Sequence, residues 1–133
     1  MTAANANVGL DVTLGERVGY TAVTFAPNTP NPNNFTYSYK YSGGNDGNGN
    51  VTESGRGAVD IFVTLSSDPR YQIAEVGFAA TNTQLSSTHT DATHATVHDY
   101  NTQDEDDYYN ILITDTGNGN CQFWCDPRVT NTD

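Results

Sequence analysis

Apolar and polar residues alternate along most of the chain with a period of two, which predicts β-strands and no helices. The predicted strands are Val8–Leu14, Arg17–Phe25, Phe35–Tyr41, Ala58–Leu65, Tyr71–Phe78, Ala95–Tyr100, Asp107–Thr114 and Asn120–Val129. The residues expected to share a face within a strand are Val59, Ile61, Val63 and Leu65, which should point inward, and Tyr37, Tyr39 and Tyr41. Seven or eight short strands in 133 residues predict one domain, 1–133, built as an antiparallel β-sandwich or a small barrel.

The segments between these strands carry recognisable turn and loop residues. Pro27–Asn34 is rich in proline and asparagine and predicts a stiff irregular connection. Gly43–Asn50 consists largely of glycine and asparagine, which accept positive φ angles, and predicts a flexible loop or hairpin end. Gly117–Gly119 predicts the turn of a hairpin between the last two strands, and the polar stretch Thr81–Thr93 predicts a mobile loop.

Charge narrows the range of partners. The chain has 16 acidic and 5 basic residues, for a formal net charge of −11. Such a chain repels phosphate backbones and anionic membrane surfaces, so we expect neither a nucleic-acid nor a membrane partner. The N-terminal segment lacks a basic start and an apolar core, which predicts no signal peptide and favours the cytoplasm; a leader removed earlier is the alternative. Oligomeric state stays open.

The acidic residues near the C-terminus suggest a cation site only weakly. Asp99 and Asn101 have the spacing that begins an EF-hand calcium loop, but Asp104 stands where that loop needs glycine and Asn110 where it needs glutamate. A solvated charged turn is therefore the preferred interpretation, with a calcium site of another kind as the alternative. We predict no cofactor.

The histidines and cysteines do not form a metal site by their spacing. His94 and His98 share a strand face but lie roughly 13 Å apart by strand rise, too far for one zinc ion. Cys121 and Cys125 have the same separation in an extended strand, and a disulfide would need a bulge or turn there. Two free, half-buried thiols are the expectation, which mildly favours a reducing compartment.

The remaining chemical feature is the dipeptide Asp126-Pro127. The proline nitrogen belongs to a tertiary amide and is a better leaving group once protonated. The neighbouring carboxylate can attack its own main-chain carbonyl to form a five-membered anhydride, which water then opens. A second carboxyl would assist by donating a proton or positioning water. Asp-Pro is also a common turn dipeptide, as in Asp68-Pro69-Arg70.

Three segments occur in an order that resembles the DP-EP family of small bacterial proteins. These segments are Phe35–Ser38, Asp46–Thr52 and the closing motif Asp126-Pro127-x-Val129-x-Asn131. The resemblance implies a compact β-sandwich. It also implies aspartate-dependent self-cleavage at Asp126–Pro127, with release of the peptide Pro127–Asp133.

The chain departs from that family at two places in the tail. Arg128 stands where an acidic residue is typical, and Thr132-Asp133 replaces the closing Glu-Pro. Lysine is nearly absent, so capture of an anhydride by an amine could use only Lys40. Hydrolysis, or no reaction, is therefore favoured over an isopeptide cross-link.

Two carboxyls are candidates to assist Asp126. Depending on where the last hairpin turns, Asp126 lies opposite Ile111 or Tyr109, and in the second register Asp107 is a diagonal neighbour at roughly 7–8 Å. Asp107 is the first candidate. Asp60 is the second, because its neighbours in sequence are apolar and such surroundings raise a carboxyl pKa; an outward-facing strand residue is its simpler interpretation.

The leading hypothesis is a single-turnover, self-cleaving aspartic peptidase, with Asp126, Pro127, Asp107 and Asp60 as its site residues. No external substrate is indicated. The alternative is a non-enzymatic sandwich that binds a cation or a carbohydrate or associates with itself, with the tyrosine face as a surface on which sugars could stack.

Overall fold

A computed structural model of the chain describes residues 4–45, 47, 49–78, 82–126 and 129–132, with the backbone alone for 89, 90, 106, 107 and 129–132. These residues form eleven strands of three residues or more and two strands of two residues. The strands are β1 (Ala6–Leu14), β2 (Thr21–Ala22), β3 (Thr24–Phe25), β4 (Tyr37–Gly43), β5 (Val51–Ser54), β6 (Val59–Leu65), β7 (Tyr71–Phe78), β8 (Leu85–Asp91), β9 (His94–Asp99), β10 (Glu105–Asp107), β11 (Tyr109–Asp115), β12 (Cys121–Cys125) and β13 (Val129–Thr132). The described residues contain no helix long and apolar enough to cross a membrane.

Two sheets pack face to face and confirm the predicted β-sandwich. One sheet has six strands in the order β2-β4-β1-β6-β9-β8, and the other has four in the order β3-β12-β11-β7. Their pairs are antiparallel except for β1 with β6, which run parallel. The strand count exceeds the predicted seven or eight.

The core lies between these two sheets and follows the predicted alternation. The four aliphatic residues of β6 predicted to point inward are at most 5% exposed. The tyrosines of β4 are also buried, at 3%, 9% and 5% exposure for Tyr37, Tyr39 and Tyr41. Tyr37 stacks on Phe123 of the facing sheet with ring centroids 4.3 Å apart. Such an offset aromatic pair stabilises the contact between the sheets beyond the area that it buries.

A third, smaller sheet holds the C-terminal tail. Its order is β10-β13-β5, so the last strand of the chain is the central one. Val129–Thr132 runs parallel to Val51–Ser54 and antiparallel to Glu105–Asp107. The tail is therefore fixed on both sides by backbone pairing.

Several boundaries differ from the sequence prediction. The predicted strand Arg17–Phe25 is two short strands that pair with different sheets, β2 with β4 and β3 with β12. The prediction of a mobile loop over Thr81–Thr93 was wrong for Leu85–Asp91, which is β8. Val51–Ser54, which was not predicted, is also a strand. Its short alternation of buried and exposed residues was too brief to identify.

A buried polar network ties the loop before β4 to the hairpin between β11 and β12. Asp115 is fully buried and accepts hydrogen bonds from Arg70 Nε at 2.7 Å and Tyr37 Oη at 2.6 Å. The buried Asn118 donates to the Tyr37 hydroxyl at 2.8 Å and to Asn31 Oδ1 at 2.7 Å. Each carboxylate oxygen of Asp115 thus has a partner, as a buried charge requires.

Candidate functional site

Asp126 lies directly after the last residue of β12 and beside β4 of the facing sheet. The Tyr41 hydroxyl donates a hydrogen bond of 2.9 Å to the carbonyl oxygen of Cys125. The Tyr39 hydroxyl hydrogen-bonds the backbone of Asp126. Both tyrosines are inward-facing residues of β4, so alternation along one strand places two hydroxyls against the peptide group that joins Cys125 to Asp126. The chain is thereby held from both sheets immediately before the Asp-Pro bond.

The Asp126 residue borders a water-accessible cavity of about 280 Å³. Tyr39, Lys40 and Tyr41 from β4 line the same cavity, together with Thr21. Asp126 is exposed overall, yet the surrounding atoms desolvate its carboxyl and raise its pKa above the usual value. The site therefore combines a carboxyl that keeps its proton to higher pH with access for water.

The other predicted site residues near the tail are described only in part. Pro127 lies outside the described residues, and so does the side chain of Asp107. The backbone of Asp107 pairs with Val129, three residues beyond Asp126. Neither predicted hairpin register is found, since Ile111 pairs with Cys125. Asp115 pairs with Cys121, so the hairpin turns over residues 116–120 and its register falls between the two predicted ones. Asp107 lies in β10, which belongs to a different sheet from β11.

Asp60 is an outward-facing strand residue, as the simpler of the two interpretations of the sequence predicted. Its carboxylate Oδ1 lies 2.7 Å from His98 Nδ1, and the two side chains are 42% and 38% exposed. The second ring nitrogen of His98 lies 2.8 Å from the Thr88 hydroxyl. This chain of polar contacts lies on the solvent side of the six-stranded sheet, whereas the tyrosines that hold Asp126 point into the core. The structure does not bring Asp60 to Asp126.

The remaining candidates are placed as follows. His94 bonds Asp91 at the surface, with Nδ1 2.9 Å from Oδ1. Among the described side chains, no group of three or more from His, Cys, Asp and Glu is placed to hold a metal ion. Cys121 and Cys125 are free thiols and fully buried. The tyrosine face of β4 is buried in the core, so it is not available as a platform for stacking sugars.

Two tyrosines beside Asp126, Tyr39 and Tyr41, were not identified from the sequence as site residues. The fully buried Tyr109 lies near Tyr41. Burial and the neighbouring Cys125 raise the pKa of Tyr41, and burial raises that of Tyr109, so both hydroxyls keep their protons. The Tyr41 proton is used in the hydrogen bond to the Cys125 carbonyl. The sequence placed Tyr39 and Tyr41 on one face of a strand, and a tyrosine that faces a core needs a partner for its hydroxyl, but which backbone group supplies that partner depends on how the two sheets pack.

The chain matches no known protein-family model and no curated protein sequence.

Proposed function

We propose that the protein cleaves its own backbone once, between Asp126 and Pro127. The observation that carries the proposal is the double anchoring of the backbone at Cys125 and Asp126 by two core tyrosines, beside a water-accessible cavity that the Asp126 carboxyl borders. Holding the backbone immediately before the reacting groups reduces the conformational freedom of Asp126 and thereby part of the entropic cost of the attack. The resemblance of the tail to the DP-EP family points to the same reaction.

The proposed reaction needs only the chain and water. A carboxylate oxygen of Asp126 bonds to the main-chain carbonyl carbon of the same residue, and a five-membered anhydride forms as the bond to the Pro127 nitrogen breaks. The nitrogen keeps the electron pair and takes up a proton to become an amine. Water then adds to the anhydride, and Asp126 becomes a C-terminal residue with two free carboxyl groups.

The raised pKa of Asp126 sets the expected pH dependence. The reaction needs both an ionised carboxylate and a proton on the leaving nitrogen, so it is fastest near the carboxyl pKa and slows at higher pH. Because desolvation raises that pKa, cleavage at Asp126 should persist to milder pH than at an exposed Asp-Pro bond.

The peptide that cleavage would separate is not free to leave at once. Residues 129–132 form the central strand of the three-stranded sheet and pair with both β5 and β10. We therefore expect a nicked but associated product in native buffer, and release of the peptide Pro127–Asp133 only on denaturation.

The chain contains its own control, because Asp68-Pro69-Arg70 has the same three residue types as Asp126-Pro127-Arg128. The Asp68 carboxylate accepts a hydrogen bond from the Arg70 amide at 3.0 Å, and its carbonyl accepts one from the Tyr71 amide at 3.0 Å. Both groups that would have to react are therefore engaged in a turn. Self-cleavage that depends on the surrounding structure predicts a cut at Asp126–Pro127 alone, whereas ordinary acid lability predicts cuts at both Asp-Pro bonds.

Freshly purified chain should be incubated from pH 4 to pH 8 and its intact mass followed under denaturing conditions. We expect fragments that end at Asp126 and begin at Pro127, no cut at Asp68–Pro69, complete loss of cleavage in Asp126→Ala and an unchanged rate in the matched variant Asp68→Ala. Native mass spectrometry should show the two fragments together. Lys40 borders the same cavity. If its amine captured the anhydride, the fragment that ends at Asp126 would be one water lighter than the hydrolysed fragment and would contain a bond between Asp126 and Lys40. A chain that stays intact, or equal cleavage at both bonds, would contradict the proposal.

A further inference from the structure

Three polar side chains on the solvent side of the six-stranded sheet form one chain of hydrogen bonds. Asp60 of β6 lies directly opposite His98 of β9, and its Oδ1 is 2.7 Å from His98 Nδ1. The other ring nitrogen, Nε2, is 2.8 Å from Oγ1 of Thr88, which belongs to the edge strand β8. The two nitrogens of the imidazole therefore have different partners, a carboxylate on one side and a hydroxyl on the other.

The direction of these hydrogen bonds follows from the chemistry of the partners. An ionised carboxylate can only accept, so in the neutral imidazole the proton lies on Nδ1 and is donated to Asp60. Nε2 then carries a lone pair, and the Thr88 hydroxyl donates to it. A hydroxyl that donates to an imidazole, which a carboxylate orients in turn, is the arrangement that activates serine and threonine nucleophiles.

The chain contains a second group of the same three residue types in which this arrangement is absent. Asp91, Thr93 and His94 lie where β8 turns into β9. Thr93 Oγ1 and Asp91 Oδ1 both lie 2.9 Å from the same nitrogen, His94 Nδ1, and the Thr93 hydroxyl also donates to Asp91 Oδ1 at 3.1 Å. One nitrogen cannot give its proton to the carboxylate and take another from the hydroxyl. His94 is therefore not placed to act as a base for Thr93.

Small molecules can reach Thr88 from solvent. Thr88 is exposed, and the side chains of His98 and Asp60 are 38% and 42% exposed. Thr88 pairs with Thr96, which pairs with Phe62, so these three side chains form the neighbouring cross-strand row on the same face. Phe62 is 40% exposed and lies two strands from Thr88, roughly 10 Å away by strand spacing. Its ring offers an apolar surface for part of a molecule that reacts at Thr88.

The edge position of β8 provides a second group that a reaction at Thr88 needs. Among the described strands, β8 pairs with β9 alone. An edge strand leaves every second backbone N–H unpaired, so either the N–H of Thr88 itself or those of the residues before and after it point away from the sheet. Such a donor beside the nucleophile can stabilise the oxygen anion that forms when a hydroxyl attacks a carbonyl.

We propose that Thr88 is a nucleophile that accepts the acyl group of small uncharged esters, with His98 as its general base and Asp60 as the residue that positions His98. Thr88 Oγ1 bonds to the carbonyl carbon of the ester as its proton passes to His98 Nε2. The bond from that carbon to the leaving oxygen then breaks, and the oxygen keeps the electron pair and takes the proton from His98. The products are acylated Thr88 and an alcohol or phenol.

The surroundings select the class of ester. The three residues lie on an open sheet face, so a small ester with a good leaving group suits them better than a substrate that must be enclosed. The formal charge of −11 and the nearby Asp60 carboxylate disfavour acyl phosphates and other anionic donors. The reaction is independent of cleavage after Asp126, because the tyrosines that hold Asp126 point into the core and not towards this face.

The test is to treat full-length protein with p-nitrophenyl acetate at neutral pH, quench it in acid at short times and locate the acetyl groups by peptide fragmentation. We expect an ester on Thr88 that hydroxylamine removes, and none on Thr93. An acetylated amine, such as that of Lys40, resists hydroxylamine and is thereby distinguished. His98→Gln should slow acetylation of Thr88 at least about a hundredfold, since general-base catalysis contributes about 10²–10⁴ in rate. The matched variant His94→Gln should leave that rate unchanged.

Asp60→Asn provides a second test in case His98→Gln does not fold, as judged by circular dichroism. The asparagine amide can donate to Nδ1 and thereby move the imidazole proton to Nε2, where it blocks transfer from Thr88. Acetylation should slow at least about tenfold, and nitrogen NMR of His98 should show the proton on Nδ1 in the unmodified chain and on Nε2 in the variant.

Three results would overturn the proposal. They are the absence of an ester on Thr88, equal acetylation of Thr88 and Thr93, and equal rates in the His98→Gln and His94→Gln variants. Each would mean that the contacts of His98 only fasten the edge strand β8 to the sheet. Thr88→Val removes the hydroxyl, keeps the side-chain shape and suits an exposed strand position, so it should abolish the ester in a folded chain.

Discussion

Three aspartates show how neighbouring groups decide what a carboxyl can do. Asp115 is buried, and hydrogen bonds from Arg70 and Tyr37 engage both of its oxygens, so it serves the fold. Asp68 is exposed, and its Oδ1 accepts the Arg70 amide in a turn. Asp126 has its backbone fixed by tyrosines, while its carboxyl borders a cavity. Identical side chains are thus a structural anchor, a turn residue and a candidate nucleophile.

The anchoring role of Asp115 gives a prediction about stability. Tyr37→Phe removes the hydroxyl that donates to Asp115 and accepts from Asn118, and leaves both of those buried groups short of a partner. We expect a loss of about 1–3 kcal/mol in the free energy of unfolding, measured by urea denaturation. Tyr100→Phe makes the same change at a side chain that is 52% exposed and should have little effect. Equal losses of unfolding free energy in the two variants would show that the buried polar network adds nothing to stability.

The direction in which the stability of Tyr37→Phe changes with pH follows from the pKa of Asp115. Burial alone would raise the pKa of Asp115, but the hydrogen bonds from Arg70, Tyr37 and the Gly117 amide outweigh burial and lower it. Because the pKa is lower in the folded chain, this stabilisation is present above the unfolded value, about 3.9, and is lost as the pH falls through the folded pKa. Tyr37→Phe removes one of those bonds, so its stability should fall less steeply on acidification than that of the unmodified chain.

At the scale of elements, the strands with buried alternation were predictable and the polar ones were not. Tyr71–Phe78 was predicted with its observed bounds, and β6 to within one residue. The apolar residues of β6 recur at every second position, and those of β7 do so on either side of an irregularity at Ala74. β8 lies at the edge of its sheet and has a largely polar sequence, which also fits a loop. Asp126 could be named as a candidate site residue from its chemistry. The tyrosines that hold it depend on how one sheet packs against the other, which no local pattern contains.

The turn between β4 and β5 depends on a glycine for two separate reasons. Gly49 has φ of 84°, and a Cβ there would overlap the Cβ of Tyr41 and lie 2.9 Å from its Cγ. Gly19 has the same φ of 84°, with no atom within 4 Å of an added Cβ. Alanine at either position would be held in a strained left-handed backbone conformation, which costs about 1–2 kcal/mol. Only Gly49→Ala would also displace a core tyrosine. We expect Gly49→Ala to be the more destabilising by about 1–3 kcal/mol in thermal or urea unfolding. Equal destabilisation would mean that Tyr41 moves aside at no cost.

At the scale of the whole molecule, the high negative charge and the shared core have opposite effects on the stability of the folded state. A formal charge of −11 on 133 residues destabilises the compact state through self-repulsion, and salt or a bound cation relieves it. The core that opposes this repulsion takes residues from nearly every long strand of both large sheets, so those strands depend on one another. We therefore expect the sandwich to unfold as one unit, as single domains of this size usually do.

The reactivity of the two cysteines shows whether the sandwich unfolds as one unit, because both lie on the inward face of β12 and are fully buried. Burial raises the pKa of both thiols, which keeps them protonated and unreactive, and roughly 13 Å of strand between them prevents a disulfide. A thiol-specific reagent should label neither cysteine in native buffer and both after denaturation, with native labelling slower by on the order of a thousandfold or more. Cys125→Ala distinguishes the two thiols. If Cys125 alone reacts quickly in native protein, the end of β12 opens without the rest of the sandwich, and the backbone before Asp126 is not held as the proposed cleavage requires.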